Sequence, residues 1–232
     1  MGINIALDGP SGAGKSTYAK ALAKKRAYVY VDTGALYRAT ALFLTESGVD
    51  VKNAAQHTAE IQEALAGADV TLAYRDGAQR VLVNGRDVSE LIRTPEISMG
   101  ASAVSALPCV REFLFDLQKK IAAENDILMD GRDIGTVVLP HAQVKIFLTA
   151  DPAERAKRRF LELSAKGDSS TYEEVLADIL QRDYNDTHRE IAPLKKADDA
   201  VEVDTTGMGV EEAVEKLDRI ITERLTAGEK KT

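Results

Sequence analysis

Cysteine and histidine are scarce in this chain of 232 residues, which contains one cysteine and three histidines. A single cysteine, Cys109, cannot form an internal disulfide, so a small secreted fold held by disulfides is excluded. A pair of Cys/His zinc clusters is excluded for the same reason. No apolar run approaches the roughly 20 residues that a membrane-spanning helix needs, which argues against an integral membrane protein.

The chain has fewer basic than acidic residues, with 30 lysines and arginines and 37 aspartates and glutamates, and its formal net charge is -7. An acidic surface repels a phosphate backbone, so we expect no nucleic-acid partner, and a local cluster of cations must hold any anionic ligand. The first residues lack the basic region of a signal peptide. We therefore expect a cytoplasmic protein without a membrane partner.

Five short apolar runs alternate with helical patterns along the chain. This alternation predicts an α/β fold with a parallel sheet that helices cover on both faces. The predicted strands are 3–7, 28–31, 126–129, 144–148 and 201–203. The predicted helices include 15–25, 35–46, 54–66, 108–124, 151–166, 171–188 and 210–226, and a polar tail follows at 228–232.

One segment departs from the alternation of strand and helix. Residues 69–74 and 79–83 are short alternating runs, and Asp76-Gly77 between them is typical of a hairpin turn. Asn84-Gly85 marks a second turn. The segment is therefore predicted to be an inserted antiparallel β lobe.

The first strand is followed by a glycine-rich motif that fits G-x-x-x-x-G-K-[ST] and opens a helix. Glycines let the backbone approach a polyphosphate, and consecutive N–H groups at the helix N-terminus bind the anion. Lys15 adds a positive charge for the β- and γ-phosphates, and Ser16 adds a hydroxyl ligand for Mg²⁺. The motif residues are Gly9, Pro10, Ser11, Gly12, Ala13, Gly14, Lys15 and Ser16.

Several neighbouring positions narrow the class of nucleotide-binding protein. Asp130 ends an apolar strand and is the best partner of Ser16 for Mg²⁺, although an ordinary turn aspartate is the alternative. Thr17 stands where a dinucleotide fingerprint needs glycine. No Asn-Lys-x-Asp string occurs, which argues against a GTPase switch, and Asp130-Gly131 lacks the Asp-Glu ending of an ATPase motor.

Two groups of charged residues have helical spacing. Arg155, Arg158 and Arg159 share one helix face, which is either a solvated basic surface or an anion-binding cluster. Arg182, Asp186 and Arg189 also share a face. They form either an ion-pair network within the helix or part of a binding site.

Four sequence blocks together resemble the bacterial cytidylate (CMP) kinases, over about residues 3–225. The Asp-Gly-Arg-Asp block is the most specific, because adenylate kinases have Asp-Gly-Phe-Pro-Arg there. Leu36 is a minor departure, since the family commonly has Met or Ile at this position. The blocks are GPSGAGKST at 9–17, DTGALYR at 32–38, DGRDIGTVV at 130–138 and IAPL at 191–194.

The resemblance implies a fold and a reaction. The fold is a single kinase domain, 1–232, of the P-loop NTPase type, with a parallel five-stranded sheet, flanking helices, the inserted antiparallel β lobe and a short helical lid. We expect the core at about 1–34, 106–150 and 188–226, the lobe that binds the nucleoside monophosphate at 35–105, and the lid at 151–170. The implied reaction is ATP + CMP ⇌ ADP + CDP with Mg²⁺ and a monomeric enzyme, and dCMP is also accepted.

The resemblance also assigns site residues. Asp133 is the expected base reader, because a carboxylate accepts a hydrogen bond from the amino group of cytosine and repels the carbonyl oxygen of uracil. Arginines suit phosphate because their guanidinium forks bind it in bidentate fashion. The expected catalytic residues are Lys15, Arg132, Arg155, Arg158, Arg159 and Arg189. ATP is expected at residues 9–17, including Thr17, and the metal at Ser16 and Asp130. The expected CMP-binding residues are Thr33, Arg38, Ser102, Arg111, Arg132, Asp133, Arg182, Asp186 and Arg189.

Two other functions remain open at this point. One is a related kinase that acts on UMP or AMP, which a substrate screen would separate from a CMP kinase. The other is a nucleotide-binding switch without catalysis, which has no need for the arginine groups that suit a second phosphate-bearing ligand.

Overall fold

Each of the five predicted core strands forms in the computed structural model, which describes residues 2–75 and 78–229. The strands begin and end within one or two residues of the predicted positions. They are β1 Asn4–Asp8, β2 Val29–Asp32, β6 Ile127–Gly131, β7 Val144–Thr149 and β8 Val201–Asp204, while the inserted lobe contributes β3 Val70–Arg75, β4 Ala78–Val83 and β5 Arg86–Asp87.

The core strands form one five-stranded sheet in the order β2-β6-β1-β7-β8. The pairs β1–β6, β1–β7 and β7–β8 are parallel. Strand β6 is buried along its whole length, as expected for a strand that is covered on both faces. The register places Asp8 opposite Gly131, so β1 and β6 end at the same edge of the sheet. The predicted α/β fold class is therefore confirmed.

The helices begin where their sequence signals place them. Asp151 caps the helix that starts at Pro152, since its Oδ1 accepts hydrogen bonds from the N–H groups of Ala153 and Glu154 at 2.8 and 3.3 Å. The helices are α1 Lys15–Arg26, α2 Thr33–Glu46, α3 Thr58–Leu65, α4 Pro95–Val104, α5 Pro108–Glu124, α6 Pro152–Ser164, α7 Tyr172–His188 and α8 Val210–Glu229. Helix α8 includes the first residues of the predicted polar tail, and 230–232 lie outside the described residues.

One predicted helix is divided in two. The stretch 54–66 begins inside a 3-10 helix, Val51–Gln56, and continues into α3, with His57 in a non-helical conformation between them. Val51 and Ala54 are buried in the same apolar cluster as Ile61. Tertiary packing therefore overrides the helical propensity of the alanine-rich sequence.

The inserted lobe is the predicted antiparallel meander. Strands β3, β4 and β5 form a three-stranded sheet, in which Leu72 is opposite Val81. Asn84 and Gly85 both have positive φ, as a two-residue turn between antiparallel strands requires. The two central residues of the other predicted turn, Asp76 and Gly77, lie outside the described residues.

The chain divides into two compact units. The first contains 2–30, 125–188 and 193–229, and the second contains 31–124 and 189–192. The first unit has its core between the sheet and the helices α1 and α8, where Ile5, Leu22 and Leu217 are fully buried. Helices α6 and α7 of this unit pack on each other through Ala156 and Ile179.

The boundary of the second unit differs from the predicted lobe. Helix α5 was predicted in the core, but it belongs to the second unit. Its residue Leu114 packs in one apolar cluster with Leu36 of α2, and Val110 packs in another with Ile61 of α3. Helical periodicity shows that α5 has an apolar face, but it does not show which partner that face meets.

Among residues 2–75 and 78–229, no helix combines the length and the apolar character that crossing a bilayer requires.

Candidate functional site

The predicted phosphate-binding loop joins β1 to α1. Gly9, Gly12 and Gly14 have φ values of 150°, 73° and 85°, in the region that side chains disfavour. A Cβ at Gly9 would also overlap the carbonyl oxygen of Leu148 on the neighbouring strand β7. These glycines are therefore required by the path of the loop.

Lys15 is buried beneath this loop. Its Nζ donates hydrogen bonds to the carbonyl oxygens of Gly9 and Pro10, both at 2.7 Å. Burial and, less strongly, the charge of Arg132 lower the pKa of Lys15 from 10.5 to about 7, against the opposing effect of nearby aspartates. A bound polyphosphate would add negative charge next to this buried amine and so favour its charged form.

Asp130, near the end of β6, is hydrogen-bonded to the first turn of α1. Its carboxylate accepts hydrogen bonds from the Ser16 hydroxyl at 2.9 Å and from the Tyr30 hydroxyl at 3.1 Å. Asp130 and Ser16 thus present hard oxygen atoms side by side. This pair fits Mg²⁺, which typically binds through one or two protein groups and completes its shell with water and phosphate oxygens. The described residues contain no group of three His, Cys, Asp or Glu side chains that could hold a metal by themselves.

Arg132 and Asp186 form a short ion pair, with 2.6 Å between Nε and Oδ2. Burial lowers the pKa of the Arg132 guanidinium, but Asp186 and the nearby Asp130 and Asp183 outweigh burial, so the pKa is raised. The resemblance assigned both residues to the CMP-binding site. The structure pairs them with each other, and Arg182, one helical turn before Asp186 on α7, is half-buried.

Asp133 begins a π-helical turn, Ile134–Val138, which periodicity did not predict. Its side chain is buried, and its carbonyl oxygen accepts from the Val137 N–H at 2.9 Å. The backbone that follows is held by Asp8, whose carboxylate accepts from the N–H groups of Ile134 and Gly135 at 2.8 and 2.7 Å. Asp8 therefore fixes the start of the turn that carries Asp133.

Asp8 is a site residue that the sequence analysis missed. Burial and, less strongly, the charge of Asp133 raise its pKa to about 6, while hydrogen bonds from the two amides and the charge of Lys15 act in the opposite direction. The available signal was an acidic residue at the end of the first apolar strand, directly before the glycine motif. That position alone does not reveal the contact with residues more than 120 positions away.

The three arginines of α6 do not act as one cluster. Arg155 is buried and donates to the carbonyl oxygens of Ala150 and Ser11 at 2.9 and 2.7 Å. Arg158 pairs with Glu154 at 3.2 Å, and Arg159 pairs with Glu162 at 3.2 Å. Their shared helix face was predicted correctly, but each arginine has different partners.

Five other predicted residues, and Ser105 with them, belong to the second unit. Asp32 caps α2 and accepts from Arg38 Nη2 at 3.1 Å, next to the buried Thr33. The Nε of Arg38 is buried without a hydrogen-bond partner in the described part of the chain, which suits a residue that binds an added ligand.

The remaining three predicted residues of this unit meet at Ser105. The Ser105 hydroxyl donates to the Ser102 carbonyl oxygen at 2.9 Å and accepts from Arg189 Nη1 at 3.1 Å. The carbonyl oxygen of Ser105 accepts from Arg111 Nη1 at 3.4 Å. Sequence reasoning missed Ser105, because a serine at the end of a helix has no distinguishing pattern.

Comparison with known proteins extends the likeness to nearly the whole chain. The family model described as cytidylate kinase matches residues 5–223. A cytidylate kinase of Carboxydothermus hydrogenoformans is 52% identical over 94% of this chain and 97% of that protein. A cytidylate kinase of Geobacter sp. (strain M21) is 49% identical over 99% and 97%, respectively, and one of Lactobacillus johnsonii is 48% identical over 96% and 95%. The chain, with its glycine loop, buried Lys15 and Asp-Gly-Arg-Asp segment, therefore belongs to the cytidylate kinase family.

Proposed function

We propose that the chain transfers the terminal phosphoryl group of ATP to CMP, giving ADP and CDP, and that it also accepts dCMP. Identity of about half over nearly the full length of the relatives supports this acceptor. The observation that carries the chemistry is the buried Lys15 beneath the glycine loop, where burial lowers its pKa to about 7. A polyanionic ligand beside this buried amine would offset the desolvation and favour the charged form of the lysine.

Phosphoryl transfer requires positioning and neutralisation of charge rather than covalent help from the protein. The N–H groups of residues 12–17 and the Lys15 ammonium hold the β- and γ-phosphates of ATP. Ser16 and Asp130 hold Mg²⁺, which would supply charge neutralisation on the phosphate oxygens. The hydrogen bond between their side chains supports this assignment.

The CMP acceptor is assigned to the residues that the resemblance to the cytidylate kinases implies. Arg38, Arg132 and Arg189 bind its phosphate, and Arg182 and Asp186 bind the ribose. Thr33, Ser102, Arg111 and Asp133 surround the cytosine. The buried Nε of Arg38 supports the first assignment, because it needs an acceptor. No general base is required, since the attacking phosphate oxygen of CMP is already ionised at neutral pH.

The three arginines of α6 belong to the segment 151–170 that we propose as the lid. Closure of a lid excludes water and thereby protects ATP from hydrolysis. Arg158 and Arg159 are the arginines of this segment that we assign to the transferring phosphoryl group, because each is partly exposed and paired with a glutamate that phosphate can replace. Arg158 also donates from Nη2 to the Thr205 carbonyl oxygen at 2.8 Å. Motion of the lid and of the CMP lobe accompanies binding.

We further propose a cytoplasmic monomer that acts on small nucleotides and has neither nucleic acid nor membrane as a partner. The net charge of -7 supports the absence of a nucleic-acid partner, because the surface repels phosphate backbones. Sedimentation velocity at micromolar concentration tests the monomer directly.

The proposed reaction is tested by measuring ADP release with MgATP against CMP, dCMP, UMP, AMP and GMP. We expect strong preference for CMP and dCMP. Turnover with UMP or AMP instead would be consistent with the proposed phosphoryl transfer, but it would overturn the assignment of Asp133 as the residue that reads cytosine. A folded protein that binds ATP but turns over none of these nucleotides would favour a non-catalytic switch.

Asp133→Asn is expected to lower discrimination between CMP and UMP. The amide of asparagine can donate to the uracil oxygen, whereas the carboxylate repels it, and one such contact accounts for about 10- to 100-fold in base selectivity. The measurement is the ratio of kcat/KM for the two acceptors. Asp116→Asn, an exposed aspartate on α5, is the matched control. If Asp133→Asn keeps the wild-type preference for CMP over UMP, Asp133 does not read the base.

A further inference from the structure

Two side chains hold the peptide groups of Ser11 in the phosphate-binding loop. Arg155 of α6 donates from Nη1 to the Ser11 carbonyl oxygen at 2.7 Å. Asp183 of α7 accepts from the Ser11 N–H at 3.2 Å. Both backbone polar groups of this loop residue are therefore bound by residues that lie more than 140 positions further along the chain.

The two side chains also bind each other. The distance between Arg155 Nη2 and Asp183 Oδ2 is 2.6 Å, and the Arg155 side chain is 3% exposed. The third guanidinium nitrogen, Nε, donates to the Ala150 carbonyl oxygen at 2.9 Å. All three nitrogens of Arg155 thus donate to the protein, which differs from the expectation that this arginine binds the transferring phosphoryl group.

The helices approach the loop closely at the next residue. A Cβ added to Gly12 would lie 3.3 Å from the Arg155 Cβ and 3.4 Å from the Ile179 Cδ1. Gly12 has a φ of 73°, so the chain turns there, directly after Ser11. Fixing the peptide groups of Ser11 therefore fixes the direction in which the following N–H groups point.

We propose that Asp183, together with Arg155, is a positioning residue that preorganises the loop for the triphosphate of the donor nucleotide. This role rests on the proposed function of the loop in binding ATP. A loop that is ordered before binding loses less conformational entropy when ATP binds, so the affinity for ATP rises. Pairing with Arg155 also neutralises the carboxylate, which would otherwise repel the phosphates.

Asp183→Asn is the principal test. It keeps the size of the side chain and an oxygen that can accept from Ser11, but it removes the charge that holds Arg155. We expect the KM for ATP and the ATP dissociation constant, measured by calorimetry without CMP, to rise about tenfold, the range for loss of a charged hydrogen bond. The KM for CMP should stay within about twofold of wild type, because the acceptor is held by other residues. Asp178→Asn, an exposed aspartate on the same helix, makes the same charge change and should leave both constants unchanged.

Asp183→Glu provides a second variant, because it keeps the charge and should recover part of the lost ATP affinity. An unchanged ATP dissociation constant in folded Asp183→Asn would overturn the proposal, as would equal increases in KM for ATP and CMP. Calorimetry of ATP binding without CMP tests the role of Asp183 independently of the proposed phosphorylation of CMP. If wild type binds ATP but does not phosphorylate CMP, the proposed reaction fails, while the role of Asp183 is still decided by the ATP constants.

Discussion

Lys15→Ala should lower the turnover of CMP with MgATP by about 10²- to 10³-fold, the range for loss of one group that stabilises charge in a transition state. CMP affinity should change little, because the proposed acceptor contacts come from other residues. Steady-state kinetics and CMP calorimetry measure the two effects separately. Lys24→Ala, an exposed lysine on the same helix, is the control. An equal loss of CMP affinity in Lys15→Ala would show damage to the fold rather than to catalysis.

The same substitution should change how stability depends on pH. Burial lowers the pKa of Lys15 from 10.5 to about 7 in the folded chain, so the unfolded chain binds this proton more tightly. Folding is therefore penalised at pH 7, and the penalty decreases as pH rises from about 7 towards 10.5. Wild type should gain melting temperature relative to Lys15→Ala between pH 7 and pH 9. A difference that stays constant with pH would contradict the lowered pKa.

Arg132→Ala should reduce both stability and activity. Removal of the guanidinium breaks the part-buried pair with Asp186, which costs about 2 kcal/mol in the free energy of unfolding. For a chain of this size, that loss lowers the melting temperature by roughly 4–8 °C. Turnover should fall by about 10³-fold or more, as when an arginine that contacts a transferring phosphoryl group is lost. Calorimetric melting and kinetics on the same sample measure both effects.

The two effects of Arg132 can be separated by a double variant. Arg132→Met combined with Asp186→Asn removes both charges, so stability should recover in part while activity stays low. Arg219→Ala, an exposed arginine on α8, is the control for a simple loss of positive charge. If the double variant recovers turnover together with stability, Arg132 acts through the fold and does not contact the acceptor.

For the arginines of the site, the sequence predicted the clustering but not the partner of each side chain. The acidic composition predicted that arginines would gather to hold phosphate, and helical spacing predicted a common face on α6. In the structure, five of these arginines are paired with a carboxylate, because a poorly solvated cation needs a counter-charge when no ligand is bound. The pairs are Arg38–Asp32, Arg132–Asp186, Arg155–Asp183, Arg158–Glu154 and Arg159–Glu162.

The sequence by itself determined the parts of this protein that local patterns encode. Apolar runs predicted the five core strands, glycine spacing predicted the loop of residues 9–14, and the Asp-Gly-Arg-Asp block identified the family that the comparisons then confirmed. These features depend on residues that lie close together along the chain, so their physical requirements are visible without a fold.

The tertiary structure alone decided which distant residues meet. Asp8 holds the turn after Asp133, and Asp183 holds Ser11, across separations of more than 120 and 170 residues. Ser105 joins Arg189, and α5 packs against α2 and α3 instead of joining the core. Aspartate and serine have no periodic signature, and an apolar helix face does not specify its partner. These contacts follow from packing over the whole chain, and no local pattern predicts them.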